Sequence, residues 1–139
     1  MINKIKIFIR RLIIKVRYKY NWYSKKVIVV NDDYRQIGLS TMIIKDALKK
    51  DIKIFVPNHM TKMNLMKKMY EIDNDYPTLK SVSSYNDYFI TPTDLCRDTR
   101  LVDNRILVDN QCTPSDILSL KNNGLYQIAN GFVYIPYAK

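Results

Sequence analysis

A chain of 139 residues that is 47% hydrophobic and 26% charged is sized for one compact core and is too apolar to stay disordered. Its formal charge of +10 directs attention to anionic partners. The two cysteines, Cys96 and Cys112, fall in no CxxC or Cys/His cluster, so neither a zinc site nor a disulfide framework is indicated, and reduced thiols in a cytoplasmic setting are expected.

The charge is concentrated at the N-terminus. Residues 1–26 hold nine Lys/Arg and no acid, which leaves the remainder almost neutral. Ile5, Ile9, Leu12, Ile13 and Val16 recur there at helical spacing with cations between them, predicting an amphipathic helix of about four turns. We place it in a basic segment, 1–24, ahead of a single domain over 25–139. The opening MINKIKIFI also alternates apolar with polar, so a strand over the first residues stays open. Lys6, Arg10, Arg11, Lys15 and Arg17 break the only apolar run, well short of the roughly 18 residues that a membrane span needs, and no small-residue cleavage site follows. A helix of this kind suits the phosphate backbone of nucleic acid, an acidic host protein or an anionic membrane surface, with Lys4, Arg10, Arg11, Lys15 and Arg17 as contacts. The competing reading is a helix packed on its own domain with its lysines in water.

Beyond Ser24 the pattern alternates strand and helix. Val27–Val30 is a β-branched run bounded by polar residues, the profile of a central strand buried on both faces of a parallel sheet. It leads through NDDYRQIG to a helix over Thr41–Lys50, with Met42, Ile43, Ala47 and Leu48 inward. Ile52–Val56 is the next strand, and Asn58 caps a helix from His59 to Ile72 whose methionines read as core packing. His59, the sole histidine, has no ligand set around it in sequence. Residues 73–88 are polar and turn-rich, a mobile connection with Val82 as a short strand, and Tyr88–Thr91 is another strand ahead of a helical turn at Thr93–Leu95. Arg105–Asn110 is a second buried strand, and Pro114-Ser115-Asp116 opens a short helix, Ile117–Lys121, that Asn122-Asn123-Gly124 stops. Leu125–Ala129 and Phe132–Ile135 flank Asn130-Gly131, which predicts a C-terminal β-hairpin.

Two segments carry chemistry. KVIVVNDDYRQIGLST, residues 26–41, has the strand, polar loop and helix start of a phosphate-binding loop, in which backbone N–H groups cradle phosphate, a lysine grips its terminal oxygens and a Ser/Thr holds magnesium. Gly38 and Ser40 occupy their places and Thr41 continues the helix, but Leu39 stands for the lysine and Asp33 for the first glycine. RILVDN, residues 105–110, has the form of a Walker B strand, whose terminal carboxylate, here Asp109, helps hold magnesium against the phosphates.

Taken together, YRQIGLST and LVDNRILVDN look like the small P-loop NTPase-like proteins of phages and other viruses, where the first segment typically reads R-Q-x-G-K-[ST]-T. The resemblance covers residues 26 to about 120. It implies an α/β fold with a P-loop-like, mainly parallel sheet flanked by helices. It also implies Arg35, Gly38, Ser40 and Thr41 at the phosphates of ATP or GTP, and Ser40 and Asp109 at Mg2+. Asn110 replaces the glutamate that many such ATPases carry, so with Leu39 and Asp33 the resemblance brings the fold and not hydrolysis. Arg35 or Lys45 would have to substitute for the missing cation. No residue is assigned a catalytic role. The expected function is that of a catalytically impaired viral protein that binds nucleic acid, host nucleic-acid machinery or a defence protein. The alternative is a weak ATP- or GTP-binding NTPase.

Overall fold

The computed structural model describes residues 2–22, 27–34, 37–73, 82–95, 105–124 and 126–137. Five helices and five strands alternate: α1 (Ile2–Asn21), β1 (Ile28–Val30), α2 (Leu39–Lys50), β2 (Lys53–Phe55), α3 (His59–Ile72), β3 (Phe89–Ile90), α4 (Pro92–Leu95), β4 (Arg105–Val108), α5 (Pro114–Asn123) and β5 (Gln127–Tyr134). The strands form one sheet in the order β1-β5-β4-β2-β3, and every neighbouring pair is parallel. Parallel neighbours need crossovers, and the helices that supply them cover both faces.

Strand alternation divides the core in two. Ile54, Leu107 and Phe132 face one side, where they pack with Ile14, Ile43, Ile44, Leu65 and Met69 of α1, α2 and α3. Phe55, Ile106, Val108 and Val133 face the other, against Ile117 and Leu120 of α5 and Leu95 of α4. Burying one such side chain contributes about 1.5–3 kcal/mol, so the apolar runs that marked these strands in sequence also hold the layers together. Local signals set the helix ends. Asn58 Oδ1 accepts from Thr61 N at 2.8 Å, and Thr113 and Asp116 form a capping box that opens α5. Among the described residues no helix is long and apolar enough to cross a membrane.

The sheet corrects several expectations. β1 lies at an edge and not in the centre, because β5 inserts between it and β4; Val29, on its outer face, is 43% exposed. The C-terminal hairpin is absent. Residues 127–134 run as one strand through Asn130-Gly131, with the register shifting beside Ile106 and Leu107. The dipeptide serves contacts here instead of a turn: Asn130 is fully buried and donates to Tyr18 O at 2.8 Å, while Gly131 lies directly on the Val108 backbone. Met1 lies outside the described residues, and from Ile2 onward the N-terminus is helical, not extended, over twenty residues. Val82 belongs to a 3-10 helix, Val82–Tyr88, that seats Tyr85 in the core; the preceding part of that connection, 74–81, lies outside the described residues. Met66 and Met69 are buried as expected, but Met60 and Met63 face solvent.

Of the three glycines, Gly131 has the least room for a side chain. A Cβ there would sit 2.3 Å from Val108 O, on backbone that cannot swing aside, and its φ is +134°. Gly131→Ala is expected to cost at least about 2 kcal/mol in urea unfolding. Gly124→Ala, at a helix end where a Cβ meets nothing within 4 Å, is expected to cost about 1 kcal/mol. Equal losses at the two positions would contradict the close approach of β5 to β4.

Candidate functional site

In open parallel sheets, clefts form outside the carboxyl ends of the strands. A cleft of about 430 Å³ opens at that end, between the β1–α2 loop and the β4–α5 turn, within the range of small-ligand sites. Its wall begins at Val30 and Asn31, continues through Gly38, Leu39 and Ser40, and is completed by Lys68, Asn110 and Tyr134. The chain leaves β1 into a 3-10 turn, Asp32–Tyr34, in which Asn31 Oδ1 accepts from Asp33 N at 2.9 Å. Gly38 then adopts φ +90°, and α2 begins at the next residue. That left-handed step is the one a glycine permits without strain, and it brings the start of α2, where helix N–H groups lack intrahelical partners, to the cleft wall.

The expected magnesium residues meet. Ser40 Oγ lies 3.0 Å from Asp109 Oδ1 and 2.7 Å from Asn110 Oδ1, joining the start of α2 to the end of β4 across sixty-nine residues of sequence. The hydroxyl is within donating reach of both oxygens. Asp109 is fully buried, and desolvation pushes its carboxyl up, against the lowering effects of the Gln111 N–H, Ser40 and Lys68. The turn itself is rigidly held, since Asp109 N donates to Phe55 O at 3.0 Å and Tyr134 N to Cys112 O at 2.8 Å.

Lys68 supplies a cation that sequence reading missed. It lies two turns beyond Thr61 on the same face of α3, and Thr61 Oγ1 meets Gln111 Oε1 at 3.2 Å; that face therefore looks onto the β4–α5 turn. A Lys62–Asp94 ion pair at 3.1 Å fixes the helix from its other side. Leu39, by contrast, is only 3% exposed and packs in the core with Ile43 and Ile44. The position expected to hold the phosphate-gripping lysine is thus an anchor of the loop. Lys45 is exposed on α2 and takes no part in the cleft wall, nor does Thr41. Arg35 lies outside the described residues. Asp33 is exposed.

Two expected partner contacts turn inward. Arg11 Nε donates to Ile37 O at 3.1 Å, and Arg10 Nη1 to Asp33 O at 3.4 Å, so α1 straps the loop it crosses. Lys4, Lys15 and Arg17 remain exposed. The strap is anchored downstream, where Tyr18 stacks on Phe132 at 5.6 Å and its hydroxyl donates to Asp46 at 2.7 Å.

Metal holding is limited by the donor set. Among the described residues no three His, Cys, Asp or Glu side chains cluster, which excludes an all-protein cage there. Of the two expected magnesium residues Ser40 stands in the cleft wall, whereas Asp109 is fully buried behind it, its Oδ1 on Ser40 Oγ and its Oδ2 on Gln111 N. The electrostatics of Asp109 give a direct test. A carboxyl raised in the folded state keeps its proton where the unfolded chain has lost it, so stability falls as pH rises from about 4 through the folded value. Asp109→Asn removes that penalty and keeps both an acceptor for Gln111 N and a donor for Ser40. The variant should melt above the unsubstituted protein at neutral pH, with the difference vanishing in acid; a lower melting point at neutral pH would contradict the assignment. Comparison with protein-family models, with curated proteins and with solved structures returns no match.

Proposed function

We propose that the protein is a catalytically impaired P-loop-like domain that binds the phosphates of a nucleoside triphosphate together with Mg2+. The observation that carries this reading is the Ser40–Asp109–Asn110 contact, in which Ser40 and Asn110 line the cleft and Asp109 is buried behind them. It joins a helix N-terminus, suited to anionic oxygens, to the hydroxyl and carboxylate suited to magnesium. Lys68 stands on the opposite wall, where its charge would reach the terminal phosphates from across the cleft instead of from the loop. The resemblance of residues 26 to about 120 to small phage and viral proteins of this type agrees with it.

Hydrolysis needs more. Transfer of a phosphoryl group depends on charge stabilisation at the transferring oxygens and on an oriented water. Asn110 is a poor base, and its amide oxygen is already engaged by Ser40. Binding without turnover is therefore the assigned activity, and Mg2+ supplies charge neutralisation at the phosphates when bound. A second reading keeps the fold as a scaffold for nucleic acid or host nucleic-acid machinery; the exposed cations Lys4, Lys15 and Arg17 favour it.

A ligand that binds only the folded state raises the unfolding midpoint by mass action, by about 2.7 kcal/mol of stability at a hundredfold excess over Kd. Magnesium-ATP or magnesium-GTP should raise the midpoint, and Lys68→Ala should weaken binding about tenfold, or about 1.4 kcal/mol. Leu39→Lys should lower the midpoint by burying a charge where Leu39 packs, without improving affinity. No shift at millimolar nucleotide, or an unchanged response in Lys68→Ala, would overturn the reading.

A further inference from the structure

Helix α1 meets its domain with the smaller of its two apolar faces. Ile14 and Tyr18 are its buried residues, and Arg11 on the same side reaches the loop. Ile2, Ile5, Ile9, Leu12, Ile13, Val16 and Tyr20 follow the three- and four-residue spacing of a single stripe. All seven are exposed, from 46% at Ile13 to 71% at Ile2. The stripe extends for most of a helix about 30 Å long. Phe8, 65% exposed, widens it, and near the domain it continues into a groove where Val16 and Tyr20 meet Val27 and Val29 of the sheet edge. A continuous apolar strip of this kind is unusual on a protein surface that faces only water.

Cations border the stripe along its length. On the helical wheel Lys4, Lys15 and Lys19 fall on one flank and Lys6 and Arg17 on the other, all exposed, and no acid occurs in residues 1–26. We infer that α1 is an interfacial helix that lies on an anionic phospholipid surface, with the Ile/Leu/Val stripe among the acyl chains and the lysines and arginines at the headgroups. Charge complementarity selects this occupant. A second copy seated stripe to stripe would bring cationic flanks together, and a nucleic acid gripped by the flanks would leave the apolar centre facing water. The helix lies on such a surface and does not cross it, since its charge keeps it below the hydropathy of a span. The inference is independent of nucleotide binding, because no stripe residue contributes to the cleft.

Sedimentation of the full chain with vesicles tests it, in the absence of nucleotide. The protein should pellet with vesicles of phosphatidylcholine mixed with phosphatidylglycerol, and far less with phosphatidylcholine alone. Raising salt should weaken the anionic component. The double variant Ile9→Ser, Leu12→Ser should lose about tenfold in vesicle affinity while its melting point stays unchanged, since both positions face away from the core. Failure of the unsubstituted protein to pellet with anionic vesicles would overturn the inference, as would undiminished pelleting of the double variant. Self-association that abolishes pelleting, or binding to an RNA oligonucleotide in place of vesicles, would overturn it as well.

Discussion

The cleft depends on the contact of Ser40 with Asp109 and Asn110. It spans sixty-nine residues of sequence and ties the first turn of α2 to the end of the strand that lies in the middle of the sheet. The β1–α2 loop is held besides by its Asn31 turn, by the strap from α1 and by the burial of Ile37 and Leu39. The contact also places a polar cluster at full burial, where an ionised carboxylate is expensive unless it is neutralised by a proton or by a cation. An acid buried just past the carboxyl end of the middle strand therefore carries a stability cost that its hydrogen bonds to Ser40 and Gln111 offset only in part.

Leu39 packs with the core of α2 and anchors the loop, while Lys68 of α3 stands in the cleft wall. The α1 arginines bond loop carbonyls at Ile37 and Asp33. A helix that carries the exposed apolar stripe therefore touches the β1–α2 loop through its opposite face. Tyr18, Asn21 and Trp22 fix its domain end through Phe132, Asn130 and Lys50.

The meeting of Ser40 with Asp109 was legible from two local signals, a glycine-to-helix step and a β-branched strand ending in acid, which a parallel sheet brings to the same end. The α/β alternation was legible for the same reason: apolar runs of strand length between helical periods leave few other arrangements. Strand order was not, because it depends on long-range pairing. Asn130-Gly131 carries the strongest local hairpin signal, and the fold overrides it, using the missing Cβ of Gly131 to approach Val108 and the amide of Asn130 to hold Tyr18. Once that strand runs straight, it takes the place beside β4, and β1 is displaced to the edge. Lys68 was hidden for a related reason. Nothing in MKKMY distinguishes a cleft lysine from a solvated one until the sheet order brings α3 over the β4–α5 turn. For α1, the periodicity gave an amphipathic helix and left open which face would dock.

The most direct measurement is a backbone amide NMR titration of the full chain with magnesium-ATP and magnesium-GTP. The account predicts that the largest shift changes fall at Gly38, Leu39, Ser40 and Asn110, at the start of α2 and the end of β4 together, and that they weaken when magnesium is withheld. Changes confined to α1, or an unperturbed spectrum at millimolar nucleotide, would contradict it.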